Sequence, residues 1–147
     1  MAISCLNSLR WSKDPRQEKY LNENKLAADR GVVIHRIFVL NKETLRQNEA
    51  KEIKANIREQ IKHKGIKVDV VWSESLSGFG EVEDWVYFSS PKKRLYIDYP
   101  DNSNRTHISH ADLIYKEEII DDKINDFRRL LSYVITENDI NSIFLSL

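Results

Sequence analysis

The chain has 147 residues, with 23 Lys or Arg balanced by 23 Asp or Glu, so its formal net charge is zero. That balance argues against a histone-like or polybasic nucleic-acid binder, and a single cysteine, Cys5, excludes an internal disulfide and fits a reducing cytosol. With 41% apolar and 10% aromatic residues the chain is expected to fold as one domain, residues 1–147, and no apolar run approaches the roughly 20 residues of a membrane span.

The charge is unevenly spread. Residues 1–73 hold 15 basic and 9 acidic side chains, and residues 74–147 hold 8 and 14, which gives halves of +6 and −6. Such halves at opposite ends of a domain would favour antiparallel pairing of two copies, within a Debye length of about 8–10 Å. The start, Met1-Ala2-Ile3-Ser4-Cys5-Leu6, has no positive charge before its apolar stretch, so no secretory signal is expected.

Ala2 to Leu6 reads as a short strand running on toward Trp11. Asp14 can cap a helix, Pro15 suits its first position and Gln17 sits where a capping-box partner belongs. Tyr20, Asn24, Ala27 and Ala28 share one face of that helix, and Gly31 ends it. Val32 to Leu40 is apolar at nearly every position, which suits a central strand covered on both faces, with His35-Arg36 as its interruption. Asn41 can cap a second helix running to about Lys64, with Leu45, Ile53, Ile57 and Ile61 on one side and Lys, Glu, Arg and Gln on the other. Gly65 closes it, and Ile66 to Trp72 is the next strand. Strand, long helix, Gly, strand is a βαβ unit, which is parallel and right-handed.

Residues 73–83 form the best loop candidate. Trp85 to Phe88 and Arg94 to Tyr99 then read as strands around the turn Ser89-Ser90-Pro91-Lys92-Lys93, and Pro100 to Asn104 as a second turn. A further strand is predicted from Thr106 to Tyr115. The helix from about Glu117 to Ile135 carries Ile120, Ile124, Phe127, Leu131 and Val134 at i, i+4, i+7 spacing. Thr136-Glu137-Asn138-Asp139 resembles a capping box for a short last helix, whose Ile143-Phe144-Leu145 end should dock on the body. The predicted fold class is therefore α/β: a mixed sheet with a parallel βαβ core, an antiparallel extension, and helices on both faces.

Tyr20-Leu21 through Ala27-Ala28-Asp29-Arg30-Gly31-Val32-Val33-Ile34 resembles a segment of phospholipase D-like domains, a helix ending in Ala-x-x-Arg-Gly-Val. Gly65-Ile66-Lys67-Val68 looks like a second landmark of that fold, and the closing helix around Asp122 to Leu131, with Phe127, is similar to its last helix. The likeness spans nearly the whole chain as one half-repeat, and it implies that two halves pair. Enzymes of that family use His-x-Lys followed by Asp: one His attacks phosphorus, the other protonates the leaving group, and Lys holds the phosphate oxygens. Two places after the four histidines stand Ile37, Gly65, Ser109 and Asp112, so none has the Lys. The strand Asp84-Trp85-Val86-Tyr87-Phe88, where order would place the motif, has neither His nor Lys, so no catalytic residue carries over.

Three constellations remain. His107, His110 and Asp112 could bind a divalent metal, but on a strand His107 faces away from the other two, and polar strand residues are the simpler account. Lys92-Lys93-Arg94 could meet a phosphate backbone, or form a solvated hairpin tip. Trp85, Tyr87, Tyr96 and Tyr99 could stack bases, or pack across strands. The leading expectation is a non-catalytic, cytoplasmic sensory or protein-interaction module, homodimeric and without cofactor or metal. Its candidate ligand-binding residues are Arg94, Tyr96, Trp85, Tyr87, His107, His110 and Asp112. The alternatives are a metal-dependent or atypical phosphodiesterase or nuclease, and a nucleic-acid-binding protein.

Overall fold

A computed structural model describes residues 1–6, 16–47, 50–80, 82–100 and 108–145. Six strands, β1 (Ala2–Leu6), β2 (Ile34–Leu40), β3 (Ile66–Trp72), β4 (Asp84–Phe88), β5 (Arg94–Pro100) and β6 (Ile108–Ile114), form one sheet in the order β3-β2-β1-β4-β5-β6. β1, β2 and β3 are parallel, β4 runs antiparallel to β1, and β5 and β6 continue as an antiparallel meander. The fold is thus the expected α/β mixed sheet. Pro100, expected to open the second turn, ends β5, while Trp11, the Asp14–Pro15 helix start, residues 101–104 of that turn and His107 lie outside the described residues.

The helices are α1 (Arg16–Asp29), α2 (Lys42–Arg46), α3 (Ala50–Lys62), α4 (Glu117–Leu131) and α5 (Glu137–Ile140). Both crossovers step the same way, β1 to β2 and β2 to β3, so right-handedness sets α1 and α3 on one face of the sheet. There Ala28, Ile53 and Ile57 pack against Leu6, Ile34, Phe38 and Val70. On the other face α4 lays Ile120, Phe127 and Leu130 against Cys5, Ile37, Val71 and Leu95. Each fully buried Leu, Ile or Phe contributes about 1.5–3 kcal/mol of transfer free energy. Gly65 takes a φ of +92° between α3 and β3, and a Cβ there would stand 3.2 Å from the Ala28 Cβ. Only glycine allows both that backbone and that approach to α1.

The helix expected from Asn41 to Lys64 is two helices. Asn41 does cap, its Oδ1 accepting from the Thr44 N–H at 3.2 Å, but Gln47 is extended at φ −74°, ψ 151° and α3 begins at Ala50. At about 100° per residue a straight helix would set Leu45 roughly 120° round from Ile57. The break lets both enter the same core. Gln60, expected on the outer side, faces inward and is 1% exposed. The loop after β3 opens with a 3-10 turn, Ser73–Leu76, that buries Leu76.

The C-terminal segment docks as expected. Thr136 Oγ1 accepts from the Asp139 N–H at 3.1 Å, and a wider helical turn, Asn141–Leu145, carries Phe144 to complete burial. Arg58 Nε donates to the Phe144 carbonyl at 2.6 Å. Just before it, Ile135 N–H donates to the Val70 carbonyl at 2.9 Å and Val134 bridges to Val71, so this segment occupies the outer edge of β3.

Candidate functional site

Alternation along the antiparallel extension separates the predicted site residues. Trp85 and Tyr87 sit opposite Cys5 and Ile3 on the α4 face, each 3% exposed. The Trp85 ring meets Phe127 edge-on at 6.0 Å. They are core side chains held by cross-strand packing.

Arg94 and Tyr96 lie on the other face. Val86 pairs with Tyr96, and Tyr96 with Leu113, so one row crosses β4, β5 and β6. Tyr96 is 38% and Leu113 47% exposed. Phe88 stands edge-to-face with Tyr96 at 5.9 Å, and the Arg94 guanidinium lies 4.6 Å from the Phe88 ring centre. Arg94 also donates to the carbonyls of Ser90 and Lys92 at 3.0 and 3.1 Å, across a turn with a cis Ser90–Pro91 bond. Lys92 lies 4.4 Å from the Tyr115 ring centre, and Lys93 lies 3.9 Å from Glu117. Every cation of this turn therefore has a partner in the chain. Asp84 and Asp98 oppose each other on the same face.

His110 and Asp112 belong to β6, on the α4 face. His110 is stacked on Tyr99, ring centres 4.5 Å apart at 17°, and Asp112 accepts a hydrogen bond from the Tyr99 hydroxyl. Burial first, then the negative charges of Glu83 and Asp112, push the Tyr99 hydroxyl above its ordinary pKa. Beside them Lys123 and Glu83 form an ion pair at 2.6 Å. His107, the third proposed ligand, lies outside the described residues, and among the described residues no three His, Cys, Asp or Glu side chains gather as a metal site.

Two polar arrangements went unread in the sequence. Arg36 is 1% exposed on the α1–α3 face. Its Nε donates to Ser4 Oγ at 2.9 Å, one terminal nitrogen to Gln60 Oε1 and the other to Asn24 Oδ1 at 3.2 Å. Gln60 Nε2 is buried without a hydrogen-bond partner among the described residues. The signal available was the charge breaking an otherwise apolar strand, with Ser4 at the register position beside it. On the α4 face, His35 Nε2 lies 2.6 Å from Asp69 Oδ2, and the His35 ring meets Phe127 edge-on at 5.0 Å. A carboxylate can orient a histidine base in this way. His35 stands near the start of β2 and Asp69 midway along β3, however, whereas open α/β sheets hold ligands at the carboxyl ends of their strands.

At those carboxyl ends the charges are matched locally. Lys42 lies 5.5 Å from the Trp72 ring centre, and its backbone N–H donates to Glu74 Oε1 at 2.9 Å. Backbone N–H donors, including Glu74's own, hold the Glu74 carboxyl below its ordinary pKa. Cys5 is fully buried, and burial with the negative charge of Asp84 pushes its thiol far up, which removes it as a nucleophile. No model of a protein family matches the chain, and no curated protein and no solved structure matches it.

Proposed function

We propose that this chain is a non-catalytic interaction module of the cytosol that works as a homodimer and presents the exposed side of its antiparallel extension to protein. The observation that carries this reading is the row Val86–Tyr96–Leu113, which crosses three strands and ends, exposed, on the edge strand β6. Side-by-side apolar residues at a sheet edge favour protein association. The pairing of halves implied by the phospholipase D-like resemblance points the same way. A nucleic-acid role fits less well, because the turn cations are engaged within the chain. No helix among the described residues is long and apolar enough to cross a membrane.

Hydrogen exchange followed across a concentration series tests the reading. Amides of β5 and β6 should gain protection as concentration rises, while those of α3 stay constant. Exchange independent of concentration throughout the chain would refute it. Hydrolysis of a phosphodiester on addition of magnesium or manganese would restore the enzymatic alternative.

A further inference from the structure

The two edges of the sheet differ. The outer side of β3 is occupied by the bridge from Val134 to Val71 and by the hydrogen bond from Ile135 to Val70. Among the described residues β6 pairs on one side only, with β5. Edge strands are commonly protected by Lys, Pro or a bulge. The sequence of β6, Ile108-Ser109-His110-Ala111-Asp112-Leu113-Ile114, contains neither Lys nor Pro; its one bulge, where Tyr99 and Pro100 pair with His110 and Ile108, places the extra residue Ser109 at its start and leaves His110 to Ile114 in regular register. Ala111, Asp112 and Leu113 are exposed.

The strand is also complementary to itself. Positions 110, 112 and 114, on one face, read His, Asp, Ile. Antiparallel pairing of β6 with a second β6 about Ala111 sets His110 opposite Asp112, twice by symmetry. A register shifted by two residues sets Asp112 opposite Asp112, or His110 opposite His110. The stack on Tyr99 holds His110, and the Tyr99 hydroxyl holds Asp112, on the face where the pairs would meet.

We propose that two copies of this chain associate through β6, antiparallel and centred on Ala111, with each His110 beside the partner's Asp112, so that the two sheets become one. This rests on the homodimeric reading above and specifies its interface.

The test uses two full-length variants, His110→Asp and Asp112→Lys, followed by sedimentation velocity. Alone, His110→Asp sets two carboxylates opposite one another and Asp112→Lys takes away the carboxylate that faces His110, so each dimer dissociation constant should rise by about tenfold or more over wild type. Mixed one to one, they set the carboxylate introduced by the first variant against the ammonium introduced by the second. The other pair keeps its native His110 and Asp112, so a heterodimer should form with affinity close to wild type. Recovery in the mixture also shows that both variants fold. A wild-type dimer left unchanged by either substitution, or lost in both and not recovered on mixing, overturns the β6 interface while leaving dimerisation in place. A wild-type chain that never dimerises overturns both.

Discussion

Replacing Arg36 by Ala removes the guanidinium at the centre of the α1–α3 face. Ser4 and Gln60 are 2% and 1% exposed, so the Ser4 Oγ and the Gln60 Oε1 would both lose a charged donor where water does not reach. Each orphaned buried group costs about 1–3 kcal/mol, so the two together cost about 2–6 kcal/mol. Against a domain stability of about 5–15 kcal/mol this is a large fraction. With a urea slope of about 2 kcal/mol per molar, the midpoint should fall by roughly 2 M. Arg36→Lys keeps the charge but not the planar fork, and should fall between wild type and Ala. The double variant Arg36→Met, Gln60→Leu removes charge and amide together and should recover part of the loss, because the Gln60 acceptor goes with its donor while the Ser4 Oγ still lacks one. Equilibrium urea unfolding by far-ultraviolet circular dichroism measures all four proteins. An Arg36→Ala midpoint within roughly 0.5 M of wild type, or a double variant no better than the single, would refute the reasoning.

Gly65→Ala should destabilise more than Gly31→Ala, because both adopt φ +92° but only the Gly65 Cβ meets another chain segment, Ala28 at 3.2 Å; the strain is about 1–2 kcal/mol at each, and thermal melts would rank them. Phe144→Ala should cost about 3–5 kcal/mol by emptying a site that is 0% exposed, read from the same melts. The Cys5 thiol should resist a disulfide reagent in the native state and react once in denaturant; rapid native labelling would contradict its burial. Tyr99 has its folded pKa raised above 10.0, so the stability from keeping it protonated is full below pH 10 and lost as pH rises through the folded value. Wild type should therefore lose more stability than Tyr99→Phe as pH rises from about 9 to about 11, and parallel curves would exclude that contribution.

The strands and helices were legible wherever a local pattern had one physical outcome. The apolar run before Asn41 could only be a covered strand, and the i, i+4, i+7 spacing of Ile120, Ile124 and Phe127 could only be a helix with one buried face. Gln60 was misplaced because its reason for facing inward, Arg36, is distant in sequence and arrives through the sheet. The break after α2 was hidden because each half of the Asn41–Lys64 stretch satisfies helical periodicity, and only the common core decides their relative angle. Faces within β4 were ambiguous for another reason. Trp85, Val86, Tyr87 and Phe88 are all apolar, so alternation could not say that Trp85 and Tyr87 go under α4 while Phe88 points the other way.

The charge asymmetry also changes meaning in three dimensions. The basic α3 and the acidic start of α4 lie on opposite faces of the sheet, not at its two ends. Pairing edge to edge brings like faces side by side, so the +6 and −6 halves give that association no electrostatic help. What favours it is local: the His110–Asp112 match within about a Debye length of 8–10 Å, and the apolar row that ends at Leu113.

Sedimentation equilibrium of the unmodified chain tests the central claim most directly. Association as a homodimer predicts a mass rising with concentration to a plateau at twice 17.3 kDa. A mass fixed at 17.3 kDa across the whole range, or one that grows without a plateau, would contradict it.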